Sequence, residues 1–302
     1  MGYLYLLCVA LMFSFGGTCV KLIKPYFGPS YITCFRFLVG VVFLLLLKIV
    51  KRQKFPDHFL QILKANACWI LFGAVAKWLS YWLENYGLTH GPSYGNIITQ
   101  PAQTVFITLS SVFLFREKLG FKRVICILMC MFGVLCVSWN GRPVSVFFHE
   151  NIYLTLFFLL AGVLAGGHVL AQKMIADKMD IVDSNLSIFA VSAVLSSAVQ
   201  LPDVLQGGLV GIHPNVVCFL AIIGFGIITG LGFYLNAKAI PLVPFYMVPV
   251  IQSTMAVFSI TWAVLFFHET ISIYIIGGTA AFLLGLIGLQ LFKERSLQNL
   301  EV

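Results

Sequence analysis

Long apolar runs separated by short polar links make up almost the whole chain. Ten of these runs have about 17 to 25 residues, which is enough to cross the hydrocarbon core of a bilayer as a helix. They fall at residues 2–20, 30–50, 65–88, 92–115, 121–139, 152–172, 184–201, 214–236, 243–267 and 271–292. No link is long enough to fold as a soluble domain. The pattern therefore predicts an all-α membrane protein with ten transmembrane helices.

The pattern recurs when the sequence is shifted by 152 positions. The matches, without a gap, are Leu83, Pro92, Tyr94, Gln100, Val105, Phe106, Val112, Phe115, Glu117 and Gly133 on Leu235, Pro244, Tyr246, Gln252, Val257, Phe258, Val264, Phe267, Glu269 and Gly285. An apolar composition does not explain matching Pro, Tyr, Gln and Glu, so we infer an internal duplication. It predicts repeats at 2–139 and 152–292 and a cytoplasmic tail at 293–302.

Each predicted repeat contains five helices, an odd number, so the second repeat is expected to cross the membrane upside down. Glu117 lies in a link rich in Lys and Arg, whereas its counterpart Glu269 has no basic neighbour in the sequence. Basic links stay on the cytoplasmic side. The two links are therefore predicted on opposite sides, as two inverted five-helix repeats require, with a site between the repeats near the membrane midplane.

Composition and charge agree with a membrane protein. Hydrophobic residues make up 60% of the 302 positions and charged residues only 10%, against about a quarter charged in soluble domains. With a cytoplasmic N-terminus, the outer links hold 3 basic residues (Lys21, Lys24 and Arg142). The inner links hold 14, namely Lys48, Lys51, Arg52, Lys54, Lys64, Arg116, Lys118, Lys122, Arg123, Lys173, Lys178, Lys238, Lys293 and Arg295. This distribution of basic residues predicts that both termini lie in the cytoplasm and that the protein is in the cell membrane. The net charge of +8 is therefore explained by the topology and does not indicate a nucleic-acid partner.

The third predicted helix carries the most informative polar residues. Lys77, Tyr81 and Glu84 are spaced i, i+4 and i+7, so they share one helix face. A charged side chain at membrane depth is costly and is expected to face the protein interior. Lys77 and Glu84 are separated by roughly 10 Å along the helix axis, a gap that a zwitterionic substrate could fill. Alternatively, Lys77 only fixes packing and Glu84 lies at the outer water boundary.

Amides on two further helices are candidates for lining a cavity. Asn96, Gln100 and Gln103 have the same i, i+4, i+7 spacing in the fourth helix, and Tyr246 and Gln252 repeat the plan in the ninth. Amides can bind donors or acceptors. The alternative is that they hydrogen-bond between helices.

Arg36 and His168 are candidates for coupling or structure. Arg36 either snorkels towards a helix end and caps carbonyls, or contacts substrate. His168 is either a hydrogen-bonded core residue or a proton carrier. All eight cysteines lie in apolar runs without metal-ligand spacing, and no nucleotide-binding or hydrolase motif occurs. No cofactor, no metal and no catalytic residue is predicted.

These features resemble the EamA branch of the drug/metabolite transporter superfamily. The resemblance is carried by SFGGT at 14–18, by CFRFLVG with Arg36, and by the repeated endings FREKL and FHETI, each followed by an apolar helix containing glycine. It implies export or exchange of small metabolites through a cavity lined mainly by the third, fourth, eighth and ninth helices, with the first, second, sixth and seventh also moving. The first helix lacks the carboxylate that cationic-drug exporters of the superfamily carry there.

The leading hypothesis is a transporter of a small polar metabolite, amino-acid-like or otherwise carboxylate-bearing, working by alternating access in the direction of export. A nucleotide-sugar or organic-phosphate exchanger is the alternative within transport, although it would want more basic residues in the cavity. Proton coupling and counter-substrate coupling both stay open. An intramembrane enzyme acting on a lipid-linked substrate, with His168 or Glu84 as base, and a membrane scaffold are the alternatives from other classes.

Overall fold

The computed structural model describes residues 1–115, 120–141, 152–175, 178–239, 242–243, 251–252 and 254–298. Over these ranges the chain forms α-helices and one 3-10 helix (Gly95–Ile98), and no β-strand. The α-helices are α1 Gly2–Ser14, α2 Gly16–Ile23, α3 Pro29–Val50, α4 Phe59–Ala65, α5 Ala67–His90, α6 Thr99–Phe115, α7 Phe121–Trp139, α8 Ile152–Ile175, α9 Ile181–Leu205, α10 Val216–Ala239, α11 Met255–Phe267 and α12 Ile273–Gln298. The predicted all-α class is confirmed for this part of the chain.

Several helices are long and apolar enough to cross a membrane. Five spans qualify over the described ranges, namely Gly2–Ile23, Pro29–Val50, Ile152–Ile175, Ile181–Leu205 and Val216–Asn236. A sixth qualifies if α4 and α5, which bend by 73° at their junction, form one span. Large apolar side chains on the outside, such as Phe132 and Val194, are 63% and 68% exposed, as a lipid-facing surface requires. The protein is therefore a multi-pass membrane protein, and the number of ten crossings stays a prediction.

Two of the predicted helices are interrupted. The first consists of α1 and α2, joined at Phe15. The fourth does not start as an α-helix at Pro92, because the chain turns there, forms the 3-10 helix and becomes α-helical only at Thr99. The Ser93 N–H donates to the carboxylate of Glu269 at 3.0 and 3.2 Å. The carboxylate from the other half thus accepts from a backbone amide that is not part of a regular helix. The prediction of a continuous helix over 92–115 was wrong at its start.

Residues 152 positions apart meet across the molecule. Phe37 in α3 and Phe189 in α9 have ring centroids 5.5 Å apart. Cys130 in α7 and Phe282 in α12 are a second such pair, with the Cys130 Sγ 3.7 Å from the Phe282 carbonyl oxygen. A residue that contacts its own counterpart lies near a two-fold axis. The two halves are therefore related by an approximate two-fold rotation.

Small residues bring α7 and α12 into backbone contact. A Cβ added to Gly133 would lie 2.5 Å from the carbonyl oxygen of Gly278, and one added to Gly285 would lie 2.8 Å from that of Cys126. These two contacts are copies of each other under the shift of 152 positions. We call this contact the α7–α12 seam. It joins the last helix of each repeat.

Candidate functional site

A cavity of about 110 Å³ lies between the two halves. This volume is well above the roughly 10 to 15 Å³ that a single water requires. Nine of the ten predicted site residues line it, namely Arg36, Lys77, Tyr81, Glu84, Asn96, Gln100, Gln103, His168 and Gln252. Tyr246 lies outside the described residues. Helical spacing in the sequence therefore identified residues that the fold brings to one cavity.

More helices contribute to the cavity wall than the third, fourth, eighth and ninth predicted segments. Phe13 in α1, Arg36 in α3 and His168 in α8 also line it. The polar lining residues outside the predicted set are Ser80, Thr99, Gln172 and Asn236. Asn236 carried a signal in the sequence, since it is the counterpart of Glu84 after the shift of 152 positions.

Lys77 is a buried cation without an anionic partner among the described residues. Its residue exposure is 6%, and within the described ranges no carboxylate lies within 4.0 Å of its ammonium. The Nζ lies 4.0 Å from the ring centroid of Tyr81 and 4.8 Å from that of Phe233. Both rings line the cavity and face the ammonium with their π-systems. An anion in the cavity would therefore meet an ammonium that has no carboxylate partner among the described residues.

Arg36 is held inside the protein at the cavity wall rather than reaching towards a helix end. Only 5% of its surface is exposed. The Nε donates to the Thr229 Oγ1 at 2.8 Å, and the guanidinium carbon lies 3.4 Å from the Tyr81 ring centroid and 4.1 Å from that of Phe225. Its Nη1 has no hydrogen-bond partner among the residues that the structure describes. The packing of α3 against α10 explains this position, since α10 supplies both Thr229 and Phe225.

Glu84 is the counter-ion of Arg36. Its Oε2 lies 3.7 Å from Arg36 Nη1, and the side chain is 14% exposed. This distance is too long for a hydrogen bond, but the attraction is strong in a poorly hydrated interior. The carboxylate is thus engaged by a cation from α3, a pairing that spacing along α5 does not reveal.

The amides fall into partnered and unpartnered groups. Asn96 lies in the 3-10 helix and is 1% exposed, and its Oδ1 accepts no hydrogen bond from the part of the chain that the structure describes. Gln252 donates to Asn236 Oδ1 at 2.8 Å. Gln100 and Gln252 are counterparts 152 positions apart, and both line the cavity. An orphaned acceptor such as the Asn96 Oδ1 is costly, and a ligand donor would satisfy it.

His168 is fully buried in α8, with its two ring nitrogens in different surroundings. The Nδ1 lies 3.2 Å from the Gly73 carbonyl oxygen, and the Nε2 has no hydrogen-bond partner within the described ranges. A carbonyl only accepts, so this bond requires the Nδ1–H form, which leaves Nε2 as an acceptor in the neutral ring. A Cβ on Gly73 would lie 2.9 Å from the Ala171 Cβ, so the glycine permits this close approach of α5 and α8. Within the described ranges no cluster of His, Cys, Asp or Glu is arranged to hold a metal ion.

The two halves contribute equivalent positions but different chemistry. The lining pairs related by 152 positions that include a polar residue are Tyr81 with Phe233, Glu84 with Asn236, Gln100 with Gln252, and Gln103 with Met255. The counterpart of Lys77 is Thr229, which binds Arg36. In each pair that differs, the first half supplies the more polar or charged member. The site therefore has a symmetric frame and an asymmetric lining.

The model of the EamA-like transporter family matches residues 1–139 and again residues 152–291. The chain belongs to this family. The resemblance drawn from the sequence motifs is thereby confirmed, and the family is one of membrane transporters in the drug/metabolite transporter superfamily. A solved crystal structure of another protein has a similar fold, with a TM-score of 0.69. The sequences are 17% identical, and the match covers 96% of this chain and 98% of the other. No curated protein sequence matches this EamA-like transporter.

Proposed function

We propose that this EamA-family protein moves a small polar metabolite bearing a carboxylate or similar anionic group across the cell membrane, in the direction of export. The observation that carries the proposal is the Lys77 ammonium, buried at a cavity between the halves with no carboxylate partner among the described residues. A charged side chain in the membrane interior costs at least about 2.5 to 3.5 kcal/mol. A substrate anion would offset that cost.

Alternating access by two inverted repeats is part of this proposal. The approximate two-fold relation between the halves supports it, because both halves then contribute equivalent surfaces to one central cavity. With five crossings in each repeat the second copy is inverted, and rocking of one repeat against the other exposes the cavity to each side in turn. The excess of basic residues in the predicted inner links supports cytoplasmic termini.

The exchange of nucleotide sugars or organic phosphates is less well supported. A phosphate group carries about two negative charges, so such a substrate favours several basic side chains. The described lining offers two, Lys77 and Arg36, and Arg36 is already paired with Glu84. The cavity of about 110 Å³ also favours a substrate smaller than a nucleotide sugar.

Transport is tested with protein purified and reconstituted into liposomes. A thermal-shift screen of amino acids, hydroxy acids, dicarboxylates, nucleosides and nucleotide sugars first selects ligands, since a ligand of the folded state raises its melting temperature. Uptake of each selected compound is then followed by mass spectrometry. Unchanged carboxylated compounds inside the vesicles support the proposal. Uptake restricted to nucleotide sugars, or a chemically altered product, supports the exchanger or the enzyme instead.

Lys77→Met separates a role in binding from one in folding. The variant is expected to fold and to lose uptake of every carboxylated compound at least tenfold. Lys64→Met changes an exposed lysine of α4 outside the cavity and is expected to transport normally. Equal uptake by the Lys77→Met variant and the unmodified protein would remove the ammonium from the site. Imposed proton gradients and preloaded counter-substrates then identify which of them drives transport.

A further inference from the structure

We infer that the cavity selects a small organic monoanion over both a zwitterion and a dianion. The inference rests on the proposed transport function and specifies its substrate. The charged groups of the described lining are two cations, Arg36 and Lys77, and one anion, Glu84. A ligand with one negative charge therefore balances the charges of the described lining.

The rest of the wall leaves this balance unchanged. The remaining described lining residues are uncharged, with His168 counted as neutral because within the described ranges no carboxylate lies within 4.0 Å of it. Positions 239–267 include part of the predicted ninth helix that lies outside the described residues. They contain no Asp, Glu, Lys, Arg or His. The net charge of the described lining is therefore +1.

The two cations differ in their partners. Arg36 has a counter-ion in Glu84 at 3.7 Å, whereas the Lys77 ammonium faces the Tyr81 and Phe233 rings and has no carboxylate of the described residues within 4.0 Å. Breaking a buried ion pair by withdrawing one partner is strongly unfavourable. Lys77 is thus the cation that is available to a ligand, and it can pair with one carboxylate.

Zwitterions and dianions each leave one charge without a partner. The carboxylate of an amino acid would pair with Lys77, but its ammonium would have to compete with Arg36 for Glu84. A dianion would place its second carboxylate where the described lining has no free cation. Both arrangements bury an uncompensated charge, which a monoanion avoids.

Unpartnered polar atoms indicate a second group on the ligand. Among the described residues, no group donates a hydrogen bond to the Asn96 Oδ1 or to the His168 Nε2, which is an acceptor in the neutral ring. A hydroxyl group on the substrate would donate to one of these acceptors without adding charge. Small 2-hydroxy acids are therefore the appropriate probes.

Binding is measured with matched pairs that share a carbon skeleton and differ in charge. Lactate is compared with alanine, 2-hydroxyisovalerate with valine, and phenyllactate with phenylalanine, each by thermal shift and by uptake into liposomes, and malate serves as the dianion. At least one hydroxy acid is expected to bind more than tenfold tighter than its amino acid and than malate. Equal or tighter binding of the amino acids, or of malate, overturns the inference while leaving the transport proposal intact. If no carboxylate in the panel binds or is transported, both proposals fall.

Charge variants test whether selectivity follows the lining. Asn236→Asp adds a negative charge at the counterpart of Glu84 and is expected to move the preference at least tenfold towards the amino acids. Glu84→Gln is expected to move it towards malate. Asp203→Asn removes one negative charge, as Glu84→Gln does, but at an exposed residue outside the cavity. This variant is expected to keep the order of binding of the unmodified protein. An order unchanged in Asn236→Asp, in protein with an unaltered melting temperature, would contradict selection by charge.

Discussion

Phe37 and Phe189 occupy the same position in their respective repeats, and their rings meet at 5.5 Å with an interplanar angle of 77°. The contact places α3 and α9 side by side at the approximate two-fold axis. Arg36 immediately precedes Phe37, whereas the residue before Phe189 is the fully buried, apolar Ile188. The first repeat therefore supplies a guanidinium at this position and the second repeat an apolar core residue. Equivalent positions of the two repeats thus carry a charged and an apolar residue.

The ends of the α3–α9 pair are joined by different contacts. At one end Lys48 donates to Asp183, and both side chains are at most 5% exposed. At the other end Tyr31 donates to Asp203 at 2.5 Å in an exposed position. Removing one partner of a buried ion pair costs about 3 to 5 kcal/mol, so Asp183→Asn is expected to lower the free energy of unfolding by that amount. Denaturant titration in mixed micelles measures it.

Two comparisons control this prediction. Asp203→Asn is expected to cost less than about 1 kcal/mol, as exposed contacts do. The double variant Lys48→Met with Asp183→Leu removes both charges, and it is expected to be more stable than Asp183→Asn alone. A loss in Asp183→Asn no larger than that in Asp203→Asn would show that the buried pair contributes little.

Lys77→Met is expected to leave the melting temperature of the unliganded protein unchanged or to raise it. The physical reason is that the buried ammonium has no anionic partner among the described residues, so removing its charge relieves a cost. Ligand-induced stabilisation is expected to vanish in the same variant. Thermal unfolding with and without the selected carboxylate measures both effects. A large drop in the melting temperature without ligand would indicate that Lys77 is a structural residue.

Neighbouring glycines in α12 give a matched test of the α7–α12 seam. A Cβ on Gly278 would lie 2.7 Å from the Gly133 carbonyl oxygen, whereas one on Gly277 would have nothing within 4 Å. Gly278→Ala is expected to destabilise the protein by about 1 to 3 kcal/mol through overpacking. Gly277→Ala is expected to stabilise it by up to about 1 kcal/mol, since alanine favours helix. Equal effects of the two variants on the free energy of unfolding would contradict the close backbone contact.

Cys68 reports the orientation of the chain. It is the exposed member of the eight free cysteines and lies at the start of α5, next to the basic link predicted on the cytoplasmic side. A membrane-impermeant maleimide is expected to label it in inside-out vesicles and not in right-side-out vesicles. Cys68→Ser identifies the labelled residue, because this variant should lose the signal. Labelling from the outer face alone would reverse the predicted topology.

Helical periodicity correctly placed residues of one element on the same cavity wall. Lys77, Tyr81 and Glu84 line the cavity together because their spacing alone puts them on one face of α5. Asn96 and Gln100 also line it, although the first lies in the 3-10 helix. The cavity lies beside both elements, so this local error did not change which residues face it.

Contacts between distant helices could not be predicted in the same way. The pairing of Arg36 with Glu84, and of Arg36 with Thr229, depends on how α3 crosses α5 and α10. Glu269 has no basic neighbour in the sequence, yet Lys21 lies 4.0 Å from its carboxylate. The internal duplication identified further residues of the site that periodicity did not. Shifting Lys77 and Glu84 by 152 positions leads to Thr229, which binds Arg36, and to Asn236, which lines the cavity.

The α7–α12 seam limits how the molecule can change shape. Its backbones touch through glycine and cysteine, so even a small sliding of one helix would bring carbonyl groups into steric conflict. The cavity-lining residues described above lie on other helices. Spin labels on either side of this seam are therefore expected to keep a constant separation throughout a transport cycle, while labels on α5 and α10, which carry cavity-lining residues of the two halves, report the motion.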